Sequence, residues 1–172
     1  MPLSIGDQAP ALSLPDTDGA EHALADGQPT AVIFTCNHCP YALAWHDRLM
    51  DAGREYSDRV RFLAVNPNDA DRYPGDSLEK MRERVAAEDW SMPYLRDETQ
   101  EAAHAFGART TPDVFVLDAS GRLRYRGAPD ADHSDPSLAA AWLREALDAV
   151  LAGTEPDPAE TKPVGCSVKW KQ

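Results

Sequence analysis

The sequence predicts an α/β domain of three layers, α/β/α, with a mixed β-sheet in the middle. Three observations carry this. Thr30–Thr35 and Val60–Asn66 are runs dominated by apolar, β-branched or aromatic residues, the mark of strands buried on both faces. A helical pattern over 40–56 joins them, and a strand–helix–strand unit lays its two strands parallel. Asp113–Asp118 is a third such run, followed by Ala119-Ser120-Gly121 and the alternating Arg122–Arg126. That is a hairpin, so an antiparallel pair belongs to the same sheet.

Taken in order, the chain opens with punctuation. Ala9–Pro15 alternates apolar and small residues between prolines, Asp16-Thr17-Asp18-Gly19 is a turn signal, and His22-Ala23-Leu24 reads as a short return strand. An N-terminal hairpin of edge strands is expected, where proline is tolerated. In the helix after the first buried strand, Leu43, Leu49 and Met50 anchor an otherwise charged pattern. Pro40 lies in its first turn, where a missing N–H costs least. Residues 66–76 hold Pro67, Pro74 and Gly75 and read as a loop. A charged helix is expected over 77–89, a short extended piece over 92–95, and a short helix over 98–106 that Gly107 ends. After the hairpin, 127–135 reads as loop. Residues 136–151 read as an alanine-rich amphipathic helix, entered at Ser134 or Asp135 and closed by Gly153.

The domain is thus 1–153, and 154–172 is a C-terminal tail packing on it. In Val164-Gly165-Cys166-Ser167-Val168-Lys169-Trp170-Lys171, apolar residues alternate strictly with small or polar ones. The pattern predicts an extended segment with one buried face, and Cys166 on that face.

At 172 residues the chain is long enough to bury one core without disulfide staples. A net charge of -12 argues against nucleic acid and anionic lipid as partners. No apolar run reaches the roughly 20 residues of a membrane helix. Residues 1–10 carry neither the basic residue nor the apolar stretch of a secretory leader. A cytoplasmic location with no membrane partner is therefore expected. In a reducing compartment, three cysteines point to catalysis or metal binding rather than to structural bridges.

Cys36-Asn37-His38-Cys39-Pro40 stands where the first buried strand meets its helix. Two cysteines so spaced, at such a junction, bind metal or exchange electrons. Unpaired N–H groups at a helix start stabilise a nearby thiolate, and His38 adds positive charge when protonated. Both are expected to lower the pKa of Cys36 and make it the attacking thiol. Cys39 is close enough to attack a mixed disulfide on Cys36 and resolve it. Zinc needs four ligands, usually from a second pair. Beyond these two cysteines the sequence offers only Cys166 and scattered histidines, so no metal is expected.

The element order, the Cys-x-x-Cys and a Thr111-Pro112 that opens a strand together resemble the thioredoxin superfamily. Gly6-Asp7-Gln8-Ala9-Pro10 with Leu14-Pro15-Asp16 and Gly19 is similar to the N-terminal extension of its redoxin branch. That branch is the alkyl hydroperoxide reductase/thiol-specific antioxidant (AhpC/TSA) group, which also holds the TlpA-like thiol reductases. Cys36-Asn37-His38-Cys39-Pro40-Tyr41, Asn66-Pro67-Asn68-Asp69, Thr111-Pro112-Asp113 and the tail Pro163–Trp170 resemble one bacterial subgroup of thioredoxin-family proteins. The resemblance implies a thioredoxin-like fold and a cis Thr111-Pro112 bond against the active pair. It implies that the Thr111 backbone docks substrate peptide beside Cys36. It also implies a thiol–disulfide oxidoreductase that needs no cofactor. Its partners would be protein or small-molecule disulfides and thiols, with an electron donor that the sequence does not name.

Two departures stand out. Thr35 occupies the place where thioredoxin-like sites often carry Trp, and Asn37-His38 replaces the familiar Gly-Pro. A histidine before the second Cys also occurs in strongly oxidising members, which points to a potential above that of thioredoxin, roughly -270 mV. An alternative is a thiol-dependent peroxidase acting on hydroperoxides. Its Pro-x-x-x-Thr-x-x-Cys signature fits neither cysteine: counting back from Cys39 meets Val32 and Cys36, and from Cys36 meets Pro29 but Ile33 in the threonine slot. A second alternative is a copper chaperone of the same fold, holding Cu(I) on two thiolates and a histidine, here His104 or His133. Cys166 is either a small apolar residue on a buried edge or a third redox thiol able to pair with Cys36 or Cys39.

Overall fold

The computed structural model describes residues 2–172. A hairpin opens the chain, β1 (Ser13–Pro15) against β2 (Glu21–Ala23), antiparallel. There follow β3 (Thr30–Phe34), α1 (Pro40–Tyr56), β4 (Arg61–Asn66), a single 3-10 turn at Pro74–Asp76, α2 (Leu78–Ala87) and β5 (Tyr94–Arg96). The second half contributes α3 (Glu101–Phe106), β6 (Thr110–Thr111), β7 (Asp113–Leu117), β8 (Leu123–Gly127), α4 (Ala141–Ala152) and β9 (Cys166–Ser167).

Five strands form the central sheet in the order β5-β4-β3-β7-β8. β3 and β4 are parallel, as are β4 and β5, and β7 runs antiparallel to both β3 and β8. The sheet is therefore mixed, as the sequence predicts. β3, β7 and nearly all of β4 are buried on both faces, and the period-two alternation sorts side chains into two cores. Ala31, Ile33, Ala64, Val114 and Val116 face Trp45, Leu49 and Tyr56 of α1, Met81 of α2, and Leu143 and Leu147 of α4. Val32, Phe34, Leu63, Val65 and Phe115 face Phe106 of α3 and the N-terminal Leu14 and Leu24. Each fully buried side chain of this size is worth roughly 1.5–3 kcal/mol of transfer free energy. The two cores fix β3 from both sides, and with it the loop that follows.

Pro40 occupies the first turn of α1, as expected. Ser77 caps α2, its hydroxyl accepting from the Lys80 N–H, and Gly107 closes α3 in the left-handed conformation. Three expectations need correction. The last helix begins at Ala141 rather than near 136. Asp132 and Asp135 accept hydrogen bonds from the Ser134 and Ser137 N–H groups instead, and such local turns compete with helix. Gly127 belongs to β8 and not to the loop after it. The tail's alternation is only partly realised: Val168 is buried, Cys166 half-buried, Val164 exposed, and just Cys166–Ser167 is strand.

Candidate active site

Cys36 leaves the carboxyl end of β3, and Cys39 is the residue that caps α1. Both sulfurs are buried, Cys36 at 1% and Cys39 at 0% exposure. Thr111 stands across from them. Its hydroxyl lies 3.3 Å from Cys36 Sγ, and its carbonyl accepts from Cys39 Sγ at 3.1 Å. The Thr111-Pro112 bond is cis, as the resemblance implies. The structure thus brings Cys36, Cys39, Thr111 and Pro112 together.

The loop between the cysteines is clamped from below. Arg84 Nη1 donates to Cys36 O (3.1 Å) and Asn37 Oδ1 (3.3 Å), and Tyr94 Oη donates to Asn37 Oδ1 (2.7 Å). Asp76, wholly buried, is the centre of this network. Its carboxylate accepts from the Asn37 N–H (2.7 Å), Asn66 Nδ2 (3.2 Å) and Asn68 Nδ2 (3.0 Å). His38 Nδ1 lies 2.6 Å from the same carboxylate, while its side chain stays 41% exposed. A buried carboxylate survives only when its lone pairs are satisfied, and here three donors do so, with His38 beside them.

The electrostatics correct the sequence expectation for Cys36. Its thiol is held well above the ordinary range: it donates towards Cys39, it is buried, and it faces the Asp76 carboxylate. The Thr111 hydroxyl and the His38 N–H pull the other way and lose. Cys39 is the lowered partner, chiefly through the bond from Cys36, with the Cys166 thiol and the Ala42 N–H adding to it against burial. The Thr111 carbonyl opposes this, since only a thiol donates to it. The reversal comes first from the neighbouring sulfur and from burial of Cys36, and position adds to it: the helix begins at Pro40, so the Ala42 N–H favours Cys39 and not Cys36.

Cys166 reaches the same place from the tail. β9 pairs antiparallel with β6, setting Cys166 opposite Thr111, and its side chain packs against Cys36, Cys39 and Ala42. Its thiol is pushed up to about 11 by burial and by Cys39.

A family model described as the AhpC/TSA family matches residues 5–126. The chain belongs to the AhpC/TSA family. It is 25% identical over 127 residues to the thiol-disulfide oxidoreductase ResA of Geobacillus thermodenitrificans (strain NG80-2), a match that covers 71% of this chain and 68% of ResA. An uncharacterized conserved protein from Geobacillus kaustophilus superposes with a TM-score of 0.91 at 35% identity, covering 98% of this chain and 93% of that one. The lipoprotein thioredoxin of Streptococcus pneumoniae strain TIGR4 gives a TM-score of 0.60 at 19% identity over 71% of this chain and 91% of its own. The fold of this AhpC/TSA member is thioredoxin-like, with a mixed central sheet between helices.

Two sequence candidates fall outside the site. His133 packs at a tilt against Tyr41 and Trp45, and His104 stacks on Trp170. Neither stands as the histidine that a copper site with Cys36 and Cys39 requires. Among the described residues, Cys36, His38 and Asp76 are the group whose ligand atoms lie within 4.8 Å of one another, but the Asp76 oxygens already take three hydrogen bonds. Asp76, Arg84 and Tyr94 were not legible as site residues. They lie 37 or more positions from the nearer cysteine, and only the sheet order brings them under the loop. The one usable signal was the 66–76 loop itself, placed at the carboxyl end of a parallel strand, where open α/β sheets bind ligands.

Proposed function

We propose that this protein is a thiol–disulfide oxidoreductase working through Cys36 and Cys39 on protein or small-molecule disulfides. One observation supports the reading above the others: both sulfurs meet at a helix start, against Thr111, with a satisfied buried carboxylate beneath them. Cys36 gives up its proton and attacks a sulfur of the substrate disulfide. A Cys36–substrate disulfide forms and one substrate thiolate leaves. Cys39 then loses its proton, attacks Cys36 and releases the second substrate thiolate. Two electrons and two protons pass from the pair to the substrate. His38 tunes the pair through the Asp76 carboxylate that its Nδ1 meets at 2.6 Å, a carboxylate that adds to the opposition to Cys36 ionisation. The exposed face of its ring also offers a path for protons to solvent.

The test is the reduction of insulin disulfides by dithiothreitol, followed as turbidity. The wild-type protein should accelerate it, and Cys36→Ser and Cys39→Ser should each return the rate to that of dithiothreitol alone. A wild-type rate equal to the uncatalysed one overturns the reading. Peroxide reduction is the second reading, favoured by the Thr111 hydroxyl 3.3 Å from Cys36 Sγ, a threonine supplied from another strand where the sequence signature lacks one. Rapid hydrogen peroxide consumption that survives Cys39→Ser would select it.

A further inference from the structure

The redox pair is closed to solvent, and what helps close it is the chain's own tail. β6 is a two-residue strand whose partner is β9. An extended peptide joins a sheet edge through its backbone and presents alternate side chains. Residues 165–168 already do this at β6. Cys166 pairs with Thr111, and the Val168 N–H donates to Arg109 O at 3.0 Å. Gly165 lies so close to Thr111 that a Cβ there would stand 2.4 Å from its carbonyl oxygen. The side chain this strand presents to the pair is a cysteine, packed on Cys36 and Cys39.

We propose that Cys166 is an internal exchange partner of Cys39, presented by the tail in the position that a substrate strand would occupy. The inference rests on the redox reading of Cys36 and Cys39. In the oxidised protein the Cys166 thiol loses its proton and its sulfur attacks Cys39 Sγ. The Cys39–Cys166 bond forms and the Cys36–Cys39 bond breaks. The electron pair stays on the Cys36 sulfur, which takes up the proton. No external oxidant or reductant enters, because one disulfide replaces another. Cys36 is suited to end as the thiol, being buried beside Asp76. The exchange moves the disulfide from two sulfurs that solvent does not reach to one that is half-exposed. A reducing thiol can then attack at Cys166.

The experiment uses the full chain, wild type and Cys36→Ser, oxidised with diamide over a range of protein concentrations. Acid quenching, alkylation of free thiols and peptide mapping under non-reducing conditions then locate the bridges. Cys36→Ser should give a monomeric Cys39–Cys166 bridge whose yield does not depend on protein concentration. Wild type should give both Cys36–Cys39 and Cys39–Cys166. Wild type carrying only Cys36–Cys39, with Cys166 fully alkylated, overturns the inference and leaves the oxidoreductase reading standing. That wild-type result decides even if Cys36→Ser fails to fold. In folded Cys36→Ser, only intermolecular dimers or free thiols overturn it as well. No intramolecular bridge at all in wild type counts against the redox pair itself, and the insulin assay reports that failure separately.

Discussion

Gly165→Ala is the substitution that most directly weighs the tail's hold on the site. An ideal Cβ at 165 would stand 2.4 Å from Thr111 O and 2.8 Å from Thr111 C. Ordinary contacts of carbon with these atoms lie near 3.5 Å, so β9 must retreat from β6 by roughly 1 Å. A backbone bond of 3.0 Å, such as Val168 N–H to Arg109 O, would then stretch well past the ~3.2 Å at which such bonds hold. Losing about two bonds at ~1 kcal/mol each removes on the order of 2 kcal/mol from the closed tail. At ~1.4 kcal/mol per tenfold, the open population should rise roughly 30-fold. Cys39 is fully buried, so its alkylation under reducing conditions reads that population directly. Mass spectrometry of quenched samples should show its rate rise by about that factor. Ser167→Ala, an exposed change on the same strand, should leave the rate alone. A folded Gly165→Ala protein whose Cys39 reacts within about twofold of wild type would refute the placement of the tail as a barrier.

The other predictions concern charge. Asp76→Asn removes the carboxylate that opposes ionisation of Cys36, so in a Cys39→Ser, Cys166→Ala background the pH midpoint of Cys36 alkylation should fall. An unchanged or higher midpoint would show that the carboxylate does not act on Cys36. The same substitution sets an amide against three donors and should cost about 1–3 kcal/mol of stability in urea unfolding. Asp113 is buried, with Oδ1 unpaired among the described residues and Oδ2 held by the Arg109 N–H. Burial raises its pKa from 3.8 to about 6 against the pull of Arg109 and Arg126. The folded state therefore binds this proton more tightly than the unfolded chain. Stability from this group is full below about pH 4 and is lost as pH rises through 6, a change of about 3 kcal/mol. Asp113→Asn should flatten that part of the pH profile relative to wild type, and identical profiles between pH 4 and 6 would rule the assignment out.

What the sequence made legible was what local physics controls. Thr30–Phe34, Arg61–Asn66 and Asp113–Leu117 are runs too apolar and branched to lie anywhere but inside a sheet. Pro40 and Gly107 mark helix ends by their own backbone limits. The cysteine pair and Thr111 came from a pattern of residues across the chain. The misjudged parts are those where side chains override local pattern. The final helix starts late because Asp130 accepts the Ala140 N–H and holds it at positive φ. The direction in which Cys36 is pushed departs from the expectation because burial and the neighbouring Cys39 outweigh the helix start, with Asp76, which no spacing rule links to Cys36, adding to them. The tail reads as one alternating strand, yet it follows its supports, and only where β6 offers backbone partners does it become strand.

Those supports also explain why Cys166 stays near the pair. Before the site, the Thr161 N–H donates to Arg126 O and its Oγ1 accepts from the Ala128 N–H, over a Gly127 that leaves no room for a Cβ. After it, the Lys169 N–H donates to Asn68 Oδ1, and its carbonyl accepts from the Asp69 N–H and Gln100 Nε2. Between these anchors the span over the cysteines is short. Under the exchange proposed above, it lifts while both ends stay held, a local opening that would expose the pair and return Cys166 to the same place. A tether of that length keeps a thiol at millimolar effective concentration or above. A peptide docking at β6 would compete with this tethered span, and its apparent affinity would fall by the fraction of time the span is lifted. Asn68 joins the two halves of the device. Its amide nitrogen holds Asp76 under the cysteines while its oxygen holds Lys169 of the tail. The carboxylate beneath the cysteines and the strand that covers them are fastened by one side chain.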